Sequence, residues 1–292
     1  MKLIPHLCNQ RLMLGVLAVS LAAGTALADT KDTAKAVFAK NKEAVIKVTA
    51  VLKIEVPGRS SQGQDVEISG TVIGADGLTV VSAASINPVA ALLDAAGDER
   101  IPNKPKVELT EIKYILADGT EIPGRLVYKD KDLDLAFLVP DLKEGEPAPK
   151  FSSLEVKEGP KAHELDDIIS LARLSKSMSH APSVAIGQIV ATITKPRTVY
   201  DFALHGTPTT GTPVFTSTGE LLGFCMIHPD DGGADPAKLR AMMSGVAGNE
   251  IVILPAGEVS GLVDSARKAA AKEVTKPAAE DKPVKEAADK SK

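Results

Sequence analysis

The chain has 292 residues, 44% of them hydrophobic, 25% charged and only 3% aromatic, with no Trp. That composition suits a soluble globular protein with room for one large domain or two small ones. A net charge of −4 and the lack of a basic, aromatic-rich stretch give it no electrostatic claim on nucleic acid or anionic lipid.

The first residues form an export signal. Lys2 and Arg11 supply the positive start, Leu12 to Ala23 the apolar core, and Ala26-Leu27-Ala28 a small-residue cleavage site. Residues 1–28 are expected to be removed, leaving Asp29 first and placing the chain in the periplasm or outside the cell. An apolar core of about a dozen residues is short for a bilayer, so no membrane span is expected afterwards. Cleavage leaves 32 basic against 38 acidic side chains. It also removes Cys8, so Cys225 is the sole cysteine and has no intrachain partner.

Lys31 to Lys42 reads as a short helix with Val37 and Phe38 inward. From Ala44 to Ile54 the pattern alternates, with Ile46, Val48, Ala50, Leu52 and Ile54 on one face and Lys47, Thr49 and Lys53 on the other, as in a half-buried strand. Pro57 to Gln64 is a loop. Val66 to Ile73 and Leu78 to Val81 form a hairpin around Gly74-Ala75-Asp76-Gly77. Asn87 to Val107 looks like a surface insertion. Glu108 to Leu116 and Glu121 to Tyr128 are strands about an Asp118-Gly119 turn. Asp141 to Glu158, polar and rich in Pro and Glu, links two halves. Strands follow at Asp167 to Ala172, Val184 to Thr194, Glu220 to Ile227 and Glu250 to Pro255, and then a helix carrying Val259, Leu262, Val263 and Ala266. Beyond about 268 the Ala, Lys, Glu, Asp and Pro composition predicts a disordered tail, 269–292.

Three stretches resemble the trypsin-like serine proteases, especially their HtrA-type branch. Gly206-Thr207-Pro208-Thr209-Thr210-Gly211-Thr212-Pro213-Val214 is similar to the nucleophile loop, Gly-Asn-Ser-Gly-Gly-Pro-Val. Ser69-Gly70 through Asp76-Gly77 to Ile86 resembles the hairpin that leads to the catalytic His. Asp130 to Leu138 resembles the stretch that carries the triad Asp. The resemblance covers roughly 36–268 and implies an all-β, two-barrel trypsin-like fold at 29–268. Its barrels would lie at about 44–145 and 160–256, with a short helix at 257–268 and no room for an appended PDZ domain.

The same alignment implies that the catalytic residues are degenerate. The His position falls on Ala84, and a one-residue shift reaches only Ala83 or Ser85. The Ser position is Thr210, the oxyanion-loop Gly is Pro208, and a second Gly is Thr212, whereas the acid survives as Asp134. A hydroxyl without an imidazole base is a poor nucleophile. Proline has no N–H to offer an oxyanion, and losing one such donor typically costs about 10²–10³ in rate. The four remaining histidines are His163, His180, His205 and His228. Of these, His205 and His180 are the candidates for a displaced base. Asp134, lacking its His, is expected to accept from backbone amides or from Ser82 or Ser85.

No cofactor or metal is expected. An EF-hand loop starting at Asp130 would need Gly and Glu where Leu135 and Asp141 stand. Asp230 to Asp235 reads as a surface turn. The leading reading is an exported pseudoprotease that holds a peptide or protein ligand in the old cleft or along a sheet edge. One alternative is an endopeptidase using Thr210 with a displaced base. The other is a structural subunit with a vestigial cleft, acting through the insertion or the tail.

Overall fold

The computed structural model describes residues 30–55, 61–89, 105–143, 149–228 and 250–274. The expected export signal, most of the expected 87–107 insertion, part of the expected 141–158 link, the expected Asp230–Asp235 turn and the residues beyond 274 lie outside the described residues.

Twelve strands close into two six-stranded antiparallel barrels, as the resemblance implies. The first contains β1 (Val45–Glu55), β2 (Gln62–Val72), β3 (Thr79–Ser82), β4 (Lys106–Ile115), β5 (Glu121–Asp130) and β6 (Leu135–Pro140), in spatial order β1-β2-β3-β6-β5-β4. The second contains β7 (Asp167–Arg173), β8 (Pro182–Ile193), β9 (Val199–Leu204), β10 (Pro213–Thr216), β11 (Leu221–Ile227) and β12 (Ile251–Pro255), in the order β10-β11-β12-β9-β8-β7. The α-helices among the described residues are α1 (Thr30–Asn41), the single turn α2 (Ala83–Ile86) and α3 (Ala256–Val274). No helix among the described residues is long and apolar enough to cross a membrane.

The alternation in β1 builds the first core. Ile46, Val48 and Ala50 point into the barrel and pack with Ile68, Tyr114 and Leu138. Ile168, Ile189, Val214, Cys225 and Ile253 do the same in the second barrel, and burial pushes the Cys225 thiol up to about 12. A third core lies between the barrels, where Leu78, Val80, Leu135 and Phe137 meet Phe224, Met226, Val252 and Leu254, with Val259 and Ala266 of α3 sealing it. Around 10 Å of interdigitated side chains is the usual thickness for such packed sheets, so both walls of the cleft rest on one apolar mass.

Several expectations need correcting. The helix expected at 257–268 spans Ala256–Val274, so the disordered tail cannot begin at 269. The Ala-rich stretch has high helix propensity, Ala270 packs on the inter-barrel core, and the Ala270 carbonyl accepts from Arg125 Nη2 at 3.1 Å. Lys47, expected on a solvent face, is only 7% exposed because the second barrel covers it. β2 begins at Gln62, inside the expected loop. β9 was not foreseen at all. Its run of Val199, Tyr200, Asp201, Phe202, Ala203 and Leu204 follows the bend at Lys195 to Arg197, where Pro196 breaks the chain between β8 and β9.

Candidate functional site

Asp134 is placed by its own turn. Asp130 Oδ1 accepts from the amides of Asp132 and Leu133 at 3.0 and 3.1 Å, and Asp134 itself adopts a left-handed backbone at φ 53°. Aspartate tolerates that region better than most residues. The turn delivers the carboxylate to the inner end of the cleft, where it is 4% exposed.

Both carboxylate oxygens are occupied. Oδ1 accepts from Ala84 N at 2.7 Å, and Oδ2 accepts from Ser82 Oγ at 2.6 Å and from Ile227 N at 2.8 Å. The expected backbone and Ser82 donors are therefore present, whereas Ser85 is not one of them. Ser82 is also the N-cap of α2, accepting from Ser85 N at 3.1 Å while it donates to Asp134. Burial raises the Asp134 carboxyl above its ordinary value, and the Ser82 hydroxyl, the Ala84 and Ile227 amides and the charge of Lys129 oppose that rise.

Ala84 contributes only its backbone N–H to this knot. The side chain that faces the nucleophile loop belongs to the next residue, with Ser85 Oγ 2.7 Å from Thr210 Oγ1. In a Ser-His-Asp triad the base lies between the acid and the nucleophile. Here the Ser85 hydroxyl on α2 reaches Thr210 but not Asp134, so among the described residues no side chain joins that acid to Thr210. The two alanines and the serine are indistinguishable in the one-residue ambiguity of the alignment. Only the contact separates them.

The Thr210 loop is held from both barrels. Gly211 has φ +74°, and a Cβ there would overlap the Ser69 carbonyl oxygen of β2. Thr71 Oγ1 donates to Gly211 O at 2.7 Å, Gly211 N donates to Cys225 O at 2.7 Å, and the buried Thr212 donates from Oγ1 to Thr209 O at 2.6 Å. Thr212 thus fits its position by turning a side-chain donor back into the loop. Pro208 lies half-buried two residues before Thr210 and offers no N–H.

None of the four histidines hydrogen-bonds Thr210. His180 Nε2 lies 3.2 Å from Glu67 Oε2, across the barrel interface, and Glu67 Oε1 lies 3.7 Å from Lys47 Nζ. Burial holds the Lys47 ammonium below its ordinary value, with Glu67 opposing. His163 pairs with Asp166 at 3.7 Å, and His205 is exposed.

His228 borders a pocket of about 130 Å³ immediately beside the knot. Ile227, whose N–H serves Asp134, and Leu133, its chain neighbour, both line it. Val199, Met226, Val252 and Leu254 form an apolar wall, and Asp132, Pro196 and Arg197 complete the lining. No motif in the sequence marks any of these as a site residue. Among the described residues no group of three or more His, Cys, Asp or Glu side chains is arranged to hold a metal ion.

The family model of the trypsin-like peptidase domain matches residues 68–224, from β2 to β11. No curated protein matches the chain.

Proposed function

Since the chain belongs to the trypsin-like peptidase domain family, we propose that it is an exported member that has given up proteolysis and uses the inherited cleft to hold an extended peptide. One observation carries the reading: the partner of Thr210 Oγ1 is the Ser85 hydroxyl. A serine hydroxyl is neither basic enough to activate Thr210 nor able to carry the positive charge that an imidazole would take up. Pro208 removes an oxyanion donor as well, so base, nucleophile and oxyanion site are all altered. Asp134, the residue that would orient an imidazole, is saturated by three other donors and works as a structural acceptor.

A binding role is favoured by the pocket, a recess lined by Leu133 and Ile227, which adjoin Asp134 in the chain and by hydrogen bond. Both sheets are closed, which favours the cleft over a sheet edge as the place where a peptide lies. Export rests on the signal pattern in residues 1–28. The histidine contacts give no support to a relocated base.

The test is hydrolysis of unfolded casein and of a fluorogenic peptide library by the purified mature chain, beside Thr210→Ala. No turnover in either protein is expected, together with retention of peptides from the same library on the immobilised chain. Turnover that vanishes in Thr210→Ala would reject the reading and restore the endopeptidase alternative.

A further inference from the structure

We infer that the pocket beside Asp134 takes a branched aliphatic group joined to a carboxylate, and that Arg197 selects the acid; the peptide form of this ligand rests on the reading above. Four arginines fall among the described residues, and three of them have a carboxylate. Arg125 reaches Asp141 at 3.8 Å, Arg173 reaches Glu43 at 2.9 Å and Arg267 reaches Asp76 at 3.5 Å. Arg173 also binds the carbonyls of Val45, Lys42 and His180. Arg197 has neither an ion pair nor a hydrogen bond to any described residue, yet it is half-buried at the pocket.

A guanidinium cannot shed its proton to escape partial desolvation. A position that removes some of its water and supplies no acceptor is costly to the fold on its own. The planar fork of donors matches the paired oxygens of a carboxylate, as it does those of a phosphate. Asp132 lines the same pocket but does not satisfy Arg197: it is exposed, and no Asp132–Arg197 ion pair forms. Among the described residues the guanidinium is therefore left without an acceptor, which an incoming acid would supply.

The apolar walls define the other half of the ligand. Leu133, Val199, Met226 and Leu254 are buried and offer no hydrogen-bonding side chain, and the space they enclose is about 130 Å³. An apolar cavity of about 150 Å³ admits benzene, so this one suits a Leu or Ile side chain and is too small for an indole. Two sources present that chemistry, an aliphatic residue next to Asp or Glu in a peptide, or a small free branched-chain carboxylate.

The experiment uses the full mature chain and labelled decapeptides that differ only at two central residues, Leu-Glu, Leu-Gln, Leu-Lys or Ala-Glu, read by fluorescence anisotropy. Titration with 4-methylpentanoate and with its amide forms the second arm. Leu-Glu is expected to bind about tenfold tighter than Leu-Gln, Leu-Lys or Ala-Glu, as a charge-assisted pair and a filled pocket each allow. Arg197→Gln should level Leu-Glu with Leu-Gln, and Arg197→Glu should turn the preference to Leu-Lys. A Leu-Glu preference that survives Arg197→Gln, or wild-type binding of Leu-Lys as tight as Leu-Glu, overturns the inference. Binding of 4-methylpentanoate but not its amide, lost in Arg197→Gln and with no peptide bound, upholds the acid pocket and rejects the peptide reading. Failure of both arms rejects the pocket.

Discussion

Asp134 and Arg197 stand at the same pocket region, one just behind its wall and the other in it, and the fold treats the two charges in opposite ways. The carboxylate is almost fully buried and holds three donors, two of them backbone amides from different barrels. The guanidinium is half-buried and holds no acceptor among the described residues. A buried charge held by three donors is part of the scaffold, whereas a partly buried charge with no partner among the described residues is a place where a ligand gains by supplying one. The contrast separates what the family scaffold still requires from what this chain has free to use.

The contrast can be broken first at Asp134. Asp134→Ala leaves the Ala84 and Ile227 amides and the Ser82 hydroxyl without their acceptor, and about 3 kcal/mol of stability should be lost, read as a fall in the denaturant midpoint. A stability equal to wild type would show that the knot is not structural. Gly211→Ala comes next, at about 2–3 kcal/mol, since a left-handed backbone and the overlap with the Ser69 carbonyl act together. Thr71→Val removes the hydroxyl that bridges the barrels at Gly211 and should cost about 1 kcal/mol in the same measurement. Arg197→Gln is the opposite pole. It should change stability by less than about 0.5 kcal/mol while levelling the ligand preference described above.

A pH series sharpens the same contrast. Burial raises the Asp134 carboxyl above the ordinary value of 3.8. Between those two values the folded chain binds more protons than the unfolded one, so the Asp134 contribution to stability rises as pH falls through the window. Above the window its contribution is at its least favourable and flat. Urea midpoints of wild type against Asp134→Asn, taken from neutral to mildly acidic pH, should therefore shift in favour of wild type on acidification. An opposite slope would mean that the three donors outweigh burial.

The barrels were legible because most strands are short apolar runs bounded by Gly, Pro and Asp turns, as at Gly74 to Gly77 and Asp118-Gly119. Asp134 was legible from its Asp-Leu-Ala context, and two of its three partners follow from the need to satisfy a buried carboxylate. The Thr210 partner was not legible, because Ala83, Ala84 and Ser85 carry no signal that fixes register. A single hydrogen bond across 125 residues decides it. Lys47 was misread since alternation reports one strand's two faces and cannot tell that a second barrel covers the outer one. Arg197 leaves no mark in the sequence, where an unpaired arginine looks like a paired one. α3 outran its expected end because alanines bury little area each, yet Ala266 and Ala270 lie against the seam.

That helix has a consequence for how the molecule is made. Val259 and Ala266 sit in the core between the barrels, and Arg125 of β5 grips the Ala270 carbonyl near the far end of the helix. Both barrels are synthesised before α3, so each can curl up while their shared seam is still unsealed. Arrival of α3 closes the open side of that seam. A nascent chain stopped before residue 256 should thus hold two barrels that already meet through Phe137, Phe224 and Leu254 but whose seam is uncovered on one side, and the 19 residues of α3 should make it more resistant to proteases.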